Sequence, residues 1–471
     1  MNISENVKSF LPDYSGYLPD VRLERRSQQL WKVLSEQPSS SVRKISVNNS
    51  EQKAYYRLLN NERVKEEHFV KEASSRTKTL SSGRDLLCIQ DTCEVNLSKH
   101  KGRLKENSGL GRSDKGQTGH CFKVHPGLVM DANTFSPLGF SHIKIFHRPE
   151  DKPDKYQRDY KKQAIEEKES YKWIEVASKS KEILENANSV TFIEDREGDI
   201  FEQFARIPDE KFHLLIRSRA NRKTKSGNLY GDIESRPIAG NYEIEIPTDN
   251  RKKQFKRTAQ IELRFGQSDL VCPKYLKKGK CPDSVKVYFI SVKEKNTKSK
   301  PIHWTLLTTQ KVDTYDHALK MVDFYTARWY IEQLFRLLKK QGYGIEETEL
   351  ESGWAIRKLI VMQMTALLKI LQMNIAYAHP EGGQPITEVF NDQQIEVLKL
   401  LNHKMQGKTL KLQNQFDANG TAWAAWVIGR LGGWKGYQSQ GPPGVIVLKR
   451  GMDRLNYIIE GIELGKDVYT R

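Results

Sequence analysis

The chain has 471 residues, enough for about three domains with ample apolar core, so it is not a small scaffold that depends on disulfides. Lysine and arginine together number 77 against 59 aspartate and glutamate, and this formal charge of +18 favours a polyanionic partner, with nucleic acid ahead of a membrane surface. The five cysteines are scattered and odd in number, which argues against a disulfide framework and for a reducing cytoplasm.

Neither a signal peptide nor a membrane span is predicted. The first residues, MNISENVKSFLPDY, lack an apolar segment of the kind that a signal peptide needs. The longest apolar segment, residues 359–378, is interrupted by Gln363, Lys369, Gln372 and Asn374. We therefore expect this segment to be a buried helix of a protein that does not contact a membrane.

Residues 1–84 have the pattern of helices without strands. Arg22, Arg25 and Arg26 fall on neighbouring helical turns, where cations could position the protein on DNA phosphates. A solvated helical bundle is the alternative. The net charge of the chain favours a helical domain that binds DNA.

From residue 85 the pattern changes to strands, and two of them carry aspartates in unusual places. DLLCIQDTCEVNL is predicted to be a buried strand containing Asp91, and a carboxylate there costs free energy unless it is paired or bound to a metal. The predicted strand SVTFIED ends on Asp195, where α/β sheets commonly build their sites. Because Glu194, Glu197 and Asp199 lie close by in sequence, a cluster of acids capping a helix is the alternative for Asp195.

Residues 219–302 are polar and strongly basic, with four cationic loops between short alternating segments. They predict an antiparallel β-sheet inserted into the larger domain, with loops that follow a phosphate backbone or are simply solvated. Residues 377–471 are again helical in pattern. We predict three parts: a helical DNA-binding domain at 1–84, an α/β domain with the β insertion at 85–376 and a helical C-terminal domain at 377–471.

The segment Asp323 to Lys340 is predicted to be one helix with two distinct faces. An apolar stripe consists of Phe324, Ala327, Ile331, Leu334 and Leu338. A second stripe consists of Tyr325, Arg328, Glu332, Arg336 and Lys339. One carboxylate within a basic row suits a metal flanked by groups for phosphates, although an exposed row of ion pairs has the same pattern.

Three carboxylates, Asp91, Asp195 and Glu332, stand on separate predicted elements. Hard divalent cations prefer oxygen ligands, and a shared aspartate can bridge two of them. Two Mg²⁺ ions held in this way could activate a water or a 3′-hydroxyl for attack on a phosphodiester. No serine, cysteine or histidine arrangement competes, and His120 and His125 are expected to be ordinary strand residues.

The spacing of Tyr325, Arg328, Glu332 and Lys339 is Y-x2-R-x3-E-x6-K, which resembles the signature of the insertion-sequence-four group of DDE transposases. The resemblance extends to IQDTCEV around Asp91, to EDREGDI and to PIHWTLLT. It implies an α/β fold, with a ribonuclease H-like catalytic core, an inserted antiparallel sheet and helical N- and C-terminal domains. Asp91, Asp195 and Glu332 would form the catalytic, metal-binding triad, occupied by two Mg²⁺ ions, with Mn²⁺ as the alternative.

The resemblance also implies how the DNA is held. Tyr325, Arg328 and Lys339 would bind transposon-end phosphates, with Arg336 on the same basic row. Trp304 would stack on a flipped base while a DNA hairpin forms, because an aromatic face stabilises an extruded base. A core aromatic is the alternative for Trp304.

The implied reaction is cut-and-paste transposition by a homodimer on paired terminal inverted repeats. It would proceed through 3′-end nicking, hairpin formation and resolution, and strand transfer to target DNA. Arg22, Arg25 and Arg26 would belong to the module that reads the repeats, and the C-terminal domain would mediate dimerisation. Two other classes stay open: a domesticated protein that binds DNA without cleaving it, and a structure-specific ribonuclease H-like nuclease.

Overall fold

The computed structural model describes residues 11–113, 120–149, 163–246, 256–276, 281–295, 301–339, 342–437 and 441–469. Four helices begin the chain: α1 (Val21–Glu36), α2 (Val42–Ile45), α3 (Asn49–Asn60) and α4 (Glu66–Ser81). Side-chain caps define two of the starts, since the Asp20 carboxylate accepts from amides in the first turn of α1 and the Asn48 side chain does the same for α3. The helical pattern predicted for this part of the chain is confirmed.

The described residues after these helices contain twelve strands in one sheet. The first six are β1 (Asp85–Gln90), β2 (Cys93–Asn96), β3 (Cys121–Asp131), β4 (Pro137–Phe146), β5 (Ser189–Glu194) and β6 (Phe212–Arg217). The others are β7 (Lys223–Thr224), β8 (Gly227–Asn228), β9 (Gly240–Ile246), β10 (Arg257–Val271), β11 (Ser284–Glu294) and β12 (His303–Thr308). Three short helices join them: α5 (Tyr171–Ile183), α6 (Phe201–Arg206) and α7 (Leu229–Glu234).

The strand order is β2-β3-β1-β5-β6-β12-β11-β10-β7-β8, with β4 paired to β3 and β9 paired to β10. Strand β1 runs antiparallel to β3 and parallel to β5, and β5 runs parallel to β6. The centre of the sheet is therefore parallel. Its strands are buried apolar runs covered by helices, as expected of parallel strands.

The strands of the predicted insertion are antiparallel, as expected, but they do not form a separate sheet. Strand β12 pairs with β6 on one side and with β11 on the other, so the hairpin β10–β11 extends the central sheet. The sequence pattern could not reveal this continuity, because alternation identifies strands but not their neighbours.

The remaining helices are α8 (Tyr315–Thr326), α9 (Trp329–Leu338), α10 (Gly353–Ala378), α11 (Asp392–Met405), α12 (Thr421–Leu431) and α13 (Val445–Tyr469). By length and composition α10 could cross a membrane, and it is the one helix of the described residues that passes that test. However, 89% of its most apolar window is buried inside the protein. It is the buried core helix that the sequence predicts.

Helix α10 also anchors the N-terminal helices. The Trp31 indole on α1 donates to Thr365 Oγ1 at 3.0 Å. Arg357 pairs with Glu66 at the start of α4, and the Lys358 ammonium donates to the carbonyls of Asn61 and Val64. These buried polar contacts hold the N-terminal helices against the core helix.

Candidate active site

Asp91 and Asp195 stand at the carboxyl ends of neighbouring parallel strands. The register of β1 with β5 pairs Ile89 with Ile193, and each aspartate lies two residues further along its strand. Adjacent strands are about 4.8 Å apart, so the two carboxylates share one edge of the sheet. The sequence predicts one of these positions, the strand end at Asp195, correctly.

The sequence predicts Asp91 inside a strand, and this prediction is wrong. Asp91 falls in a break of two residues between β1 and β2. Both strands pair with β3 in one continuous register, from Gln90 with Gly127 to Cys93 with Val124, and this register sets Asp91 opposite Pro126. Proline has no amide hydrogen to donate, so the ladder is interrupted there and the carboxylate is released toward the sheet edge.

Both oxygens of the Asp91 carboxylate have hydrogen-bond donors. Oδ1 accepts from the Thr92 amide at 2.7 Å, and Oδ2 accepts from Arg328 Nη1 at 2.9 Å. Burial nevertheless raises the pKa of Asp91 to about 6, with the nearby charges of Asp195 and Glu332 adding to the rise. The carboxylate is thus held at a free-energy cost that a bound cation would relieve.

His125 fixes the backbone on either side of Asp91. Its Nδ1 lies 2.8 Å from Thr92 Oγ1 and its Nε2 lies 3.0 Å from Gln90 Oε1. Burial lowers the pKa of His125 well below its ordinary value, so a neutral ring can donate to the glutamine and accept from the threonine hydroxyl. As expected, His125 is a strand residue.

Asp195 caps the short 3₁₀ turn Arg196–Gly198, accepting the Glu197 amide at 2.8 Å. Neighbouring acids are held elsewhere, since Glu197 pairs with Lys172 and Asp199 pairs with Arg222. Within the described residues Asp195 makes no salt bridge. Asp195 is therefore both the predicted cap and a carboxylate that a ligand could reach. Burial raises its pKa.

The predicted helix of residues 323–340 is two helices, because α8 ends at Thr326 and α9 begins at Trp329. Ala327 and Arg328 keep right-handed helical angles, so the two stripes persist across this joint. The apolar stripe is buried along its whole length, as predicted. Lys340 lies outside the described residues.

Arg328 lies between two members of the predicted triad. Its Nη1 donates to Asp91 at 2.9 Å, and its Nη2 donates to Glu332 one turn along the helix. The fork of one guanidinium therefore joins a strand-end carboxylate to a helix carboxylate. Glu332 is the more accessible acid, with 37% of its side chain exposed against 20% for Asp91.

The donor set fits a divalent cation, although the side chains are not yet arranged around one. Among the described residues, no three acidic, histidine or cysteine side chains converge closely enough to hold a metal ion. Arg328 already sets a positive charge between Asp91 and Glu332, while Asp195 is close enough to disturb the pKa of Asp91. Three carboxylates around one cationic position are suitable ligands for Mg²⁺ or Mn²⁺.

The aromatic rings of Tyr325 and Trp304 pack against each other beside the acids. The two rings meet edge to face, with centroids 5.4 Å apart, and the Arg217 guanidinium lies 5.9 Å from the Trp304 ring centre. Tyr325 is buried and Trp304 is half-buried. Trp304 therefore is not an enclosed core residue, but part of its surface is held by its neighbours.

Arg217 is a site residue that the sequence analysis missed. Strand β6 pairs with β5 so that Ile216 lies opposite Glu194, which brings Arg217 beside Asp195 at the same sheet edge. Its Nη2 donates to the His303 carbonyl at 3.1 Å, next to Trp304. The sequence carries a signal for this position, since a cation as the last residue of an apolar strand stands where the parallel strands end.

The other cations of the basic row differ in their surroundings. Lys339 lies 3.6 Å from Glu346 and is partly buried, whereas Arg336 is exposed one turn beyond Glu332. Trp329 precedes Glu332 by one turn and is 57% exposed, an unusual exposure for tryptophan. The sequence analysis did not single it out, and its exposure could not be inferred from the residue pattern.

The three predicted N-terminal arginines lie on α1. Arg22 and Arg25 are exposed, and the guanidinium of Arg26 lies 6.0 Å from the ring centre of Tyr55 on α3. Leu30 and Leu34 are buried on the core-facing side of α1, so Arg22 and Arg25 face solvent, while Arg26 is half-buried. The surface they form is compatible with phosphate contacts.

Two protein-family models match the chain. One, described as transposase DNA-binding, matches residues 16–64 and covers α1 to α3 with Arg22, Arg25 and Arg26. The other, described as transposase DDE domain, matches residues 178–369 and includes Asp195 and Glu332 but not Asp91. A DDE domain implies a ribonuclease H-like fold, in agreement with the mixed α/β sheet. The chain is therefore similar to a transposase DNA-binding domain over residues 16–64 and to a transposase DDE domain over residues 178–369.

Proposed function

We propose that this protein is a cut-and-paste transposase of the insertion-sequence-four group, similar to the transposon Tn-five transposase. The observation that carries the proposal is that Asp91 and Asp195 follow neighbouring parallel strands and that Arg328 links Asp91 to Glu332, within a chain that matches a DDE domain over residues 178–369. The Y-x2-R-x3-E-x6-K spacing lies on the helices that border this edge. Its aromatic and arginine residues face the acids.

Asp91, Asp195 and Glu332 would hold two Mg²⁺ ions, with Mn²⁺ as a substitute. When bound, the ions would supply activation of the attacking hydroxyl and stabilisation of the leaving oxygen. The protein contributes a fixed sheet edge, a half-buried position for the acids and cations that neutralise the phosphates. No serine or cysteine nucleophile is required, so we expect no covalent protein intermediate.

The DNA would lie across the basic surface around this edge. Arg328, Lys339, Arg336 and Tyr325 would contact transposon-end phosphates, and the half-buried Trp304 ring would receive an extruded base. Arg22, Arg25 and Arg26 would take part in reading the terminal inverted repeats, consistent with the exposure of Arg22 and Arg25 on α1. Each cleaved end would pass through a hairpin, reopen and join target DNA.

We expect a homodimer to assemble on paired ends and to act on DNA in the cytoplasm. Helix α13 supports dimerisation, because Tyr457 and Leu464 are each 66% exposed. Apolar side chains that remain exposed on a C-terminal helix are suited to contact with a second protein surface.

The direct test uses a DNA fragment that carries the gene with its natural flanks. The full-length protein is incubated with this fragment in Mg²⁺ and in EDTA, and the products are resolved on a denaturing gel. Asp91→Ala and Glu332→Ala should abolish every cut while binding, measured by mobility shift, survives. Asp316→Ala, an exposed acid in the first turn of α8, is the matched control and should cut normally.

Three results would contradict the proposal or favour a different function. Binding of the ends without any cut in Mg²⁺ or Mn²⁺ would indicate a domesticated DNA-binding protein. Cuts without joining to target DNA would indicate a structure-specific nuclease. Loss of DNA binding together with cleavage in Asp91→Ala would contradict the catalytic role of that carboxylate.

A further inference from the structure

We propose that Arg328 is an internal stand-in for the metal, and that metal ions and DNA phosphate cooperate in displacing it from the acids. This inference rests on the proposed function and specifies how its site is regulated. It assigns Arg328 a second state, in which its guanidinium leaves the carboxylates for a phosphate of bound DNA. The site would then load metal most readily when DNA is present.

The first support is the occupancy of the Asp91 oxygens. Oδ1 is taken by the Thr92 amide at 2.7 Å and Oδ2 by Arg328 Nη1 at 2.9 Å. Each oxygen keeps a second lone pair, but a cation at Oδ2 would lie beside the positive guanidinium, so close binding requires the arginine to move away. The backbone amide, fixed by the chain itself, is the less mobile of the two donors.

The second support is that the same guanidinium also holds Glu332. Its Nη2 donates to Oε1 of that residue, so one side chain engages two of the three acids that would ligate metal. In this arrangement no three metal-ligating groups converge among the residues that the structure describes. Release of Arg328 would free Asp91 and Glu332 together, which makes its position a single control point.

The third support is the chemistry of the group. A guanidinium fork matches a phosphate as well as it matches carboxylates, so Arg328 has an alternative partner as soon as DNA reaches the sheet edge. Arg217 lies next to Asp195 at that edge and adds to the positive field that would draw a phosphate in. Because two ligands displace one group, each should strengthen the binding of the other by the same factor.

The test measures metal binding directly, without relying on cleavage. Free Mn²⁺ is followed by electron paramagnetic resonance as it is added to full-length wild type, Arg328→Gln, Lys320→Gln and Asp91→Ala, each first checked for folding by thermal melting. Lys320 is exposed at the opposite edge of the sheet, near Asp85 and Ser189, so its replacement removes one charge without touching the acids. We expect Arg328→Gln to bind Mn²⁺ about tenfold more tightly than wild type, within the usual range of such couplings, and Lys320→Gln to match wild type.

The coupling to DNA is measured with a short labelled duplex by fluorescence anisotropy, in Ca²⁺ and in EDTA. Wild type should bind the duplex about tenfold more tightly in Ca²⁺, and Arg328→Gln should lose most of this dependence on Ca²⁺. Lys320→Gln again serves as the control, because it corrects for the general loss of one positive charge.

The outcomes separate this inference from the proposed function. Equal or weaker Mn²⁺ binding by Arg328→Gln, at a site that Asp91→Ala removes, would overturn the stand-in role and leave the metal site intact. Mn²⁺ binding that Asp91→Ala does not affect would overturn both. If Arg328→Gln does not fold, Arg328→Lys replaces it: a lysine is a point charge without the planar fork, so Mn²⁺ affinity no tighter than wild type would equally overturn the proposal.

Discussion

Asp91 and Asp195 lie side by side because each extends two residues beyond the paired residues Ile89 and Ile193 of parallel strands. Two half-buried carboxylates on adjacent strands oppose each other's ionisation, and only Arg328 offsets the charge of Asp91 through a salt bridge within the described residues. This relationship makes the acid pair sensitive to pH, to substitution and to any added cation.

Replacement of Asp91 by asparagine should change how stability depends on pH. Burial raises the pKa of Asp91 from 3.8 to about 6, so the folded protein binds more protons than the unfolded chain between these values. The free energy of unfolding of wild type therefore falls as pH rises through this window, and Asp91→Asn lacks that contribution. The free energy of unfolding of the variant minus that of wild type should therefore increase by about 1 kcal/mol from pH 5 to pH 7.5. Urea unfolding without added metal measures this difference at each pH. A stability difference that is the same at both pH values would show that the carboxyl titrates normally.

Trp304→Ala should slow the hairpin steps more than the first nick. The ring is half-buried against Tyr325 and Arg217, where it could receive a base extruded beside the acids. Stacking on an aromatic ring is worth about 1–3 kcal/mol per base, so hairpin formation should slow by roughly tenfold or more. A time course on a denaturing gel separates the steps, with Trp304→Phe as a partial rescue. Equal slowing of every step would argue against a base-stacking role.

Substitution at the Glu66–Arg357 pair should loosen the N-terminal helices from the core. Both side chains are mostly buried, and Arg357 also donates to the Ile145 carbonyl. Glu66→Ala leaves a buried guanidinium without its carboxylate and should lower the free energy of unfolding by about 3 kcal/mol in urea. Glu67→Ala, at an exposed neighbouring position, should have little effect.

The pKa of Glu66 is raised although Arg357 donates two hydrogen bonds to its carboxylate. Burial therefore affects this pKa more strongly than the arginine does. The pair thus contributes orientation more than net stability. The double variant Glu66→Leu with Arg357→Met should therefore recover much of the loss seen in Glu66→Ala. Additive losses in the double variant would contradict this account.

Trp329→Ala should weaken DNA binding without weakening the fold. The side chain is 57% exposed on the first turn of α9, close to the acids, so its removal leaves no large cavity. A loss of one stacking or sugar contact should reduce affinity for a short duplex by about fivefold to tenfold. Fluorescence anisotropy and thermal melting, run in parallel, check both halves of the prediction. A lower melting temperature with unchanged affinity would identify Trp329 as a packing residue.

The sequence predicts much of this site because its residues break local rules. Asp91 and Asp195 stand out as acids at apolar strands, and Glu332 stands out as an acid in a basic row. The resemblance then joins them through the Y-x2-R-x3-E-x6-K spacing around Glu332 and through the segments IQDTCEV and EDREGDI around the two aspartates. The roles of these residues stay predictions until they are tested by substitution.

The features that the sequence did not predict depend on contacts between distant segments. The interruption at Asp91 arises because Pro126 lies opposite on β3, some thirty-five residues away in sequence. The placement of Arg217 follows from the register of β6 on β5. The double contact of Arg328 needs Asp91 to meet the joint between α8 and α9. Periodicity identifies each of these elements but carries no information about its partner.

The attachment of the N-terminal helices to α10 has a geometric consequence. The arginines of α1 and the acids of the sheet edge belong to one packed body, joined through Trp31, Glu66 and Arg357. The fold then fixes one distance: that between the surface that would bind a DNA sequence and the sheet edge that would cleave the DNA. Such a protein would locate its cleavage position by length along the double helix, measured from the gripped sequence, and would need no base contact at the cut itself.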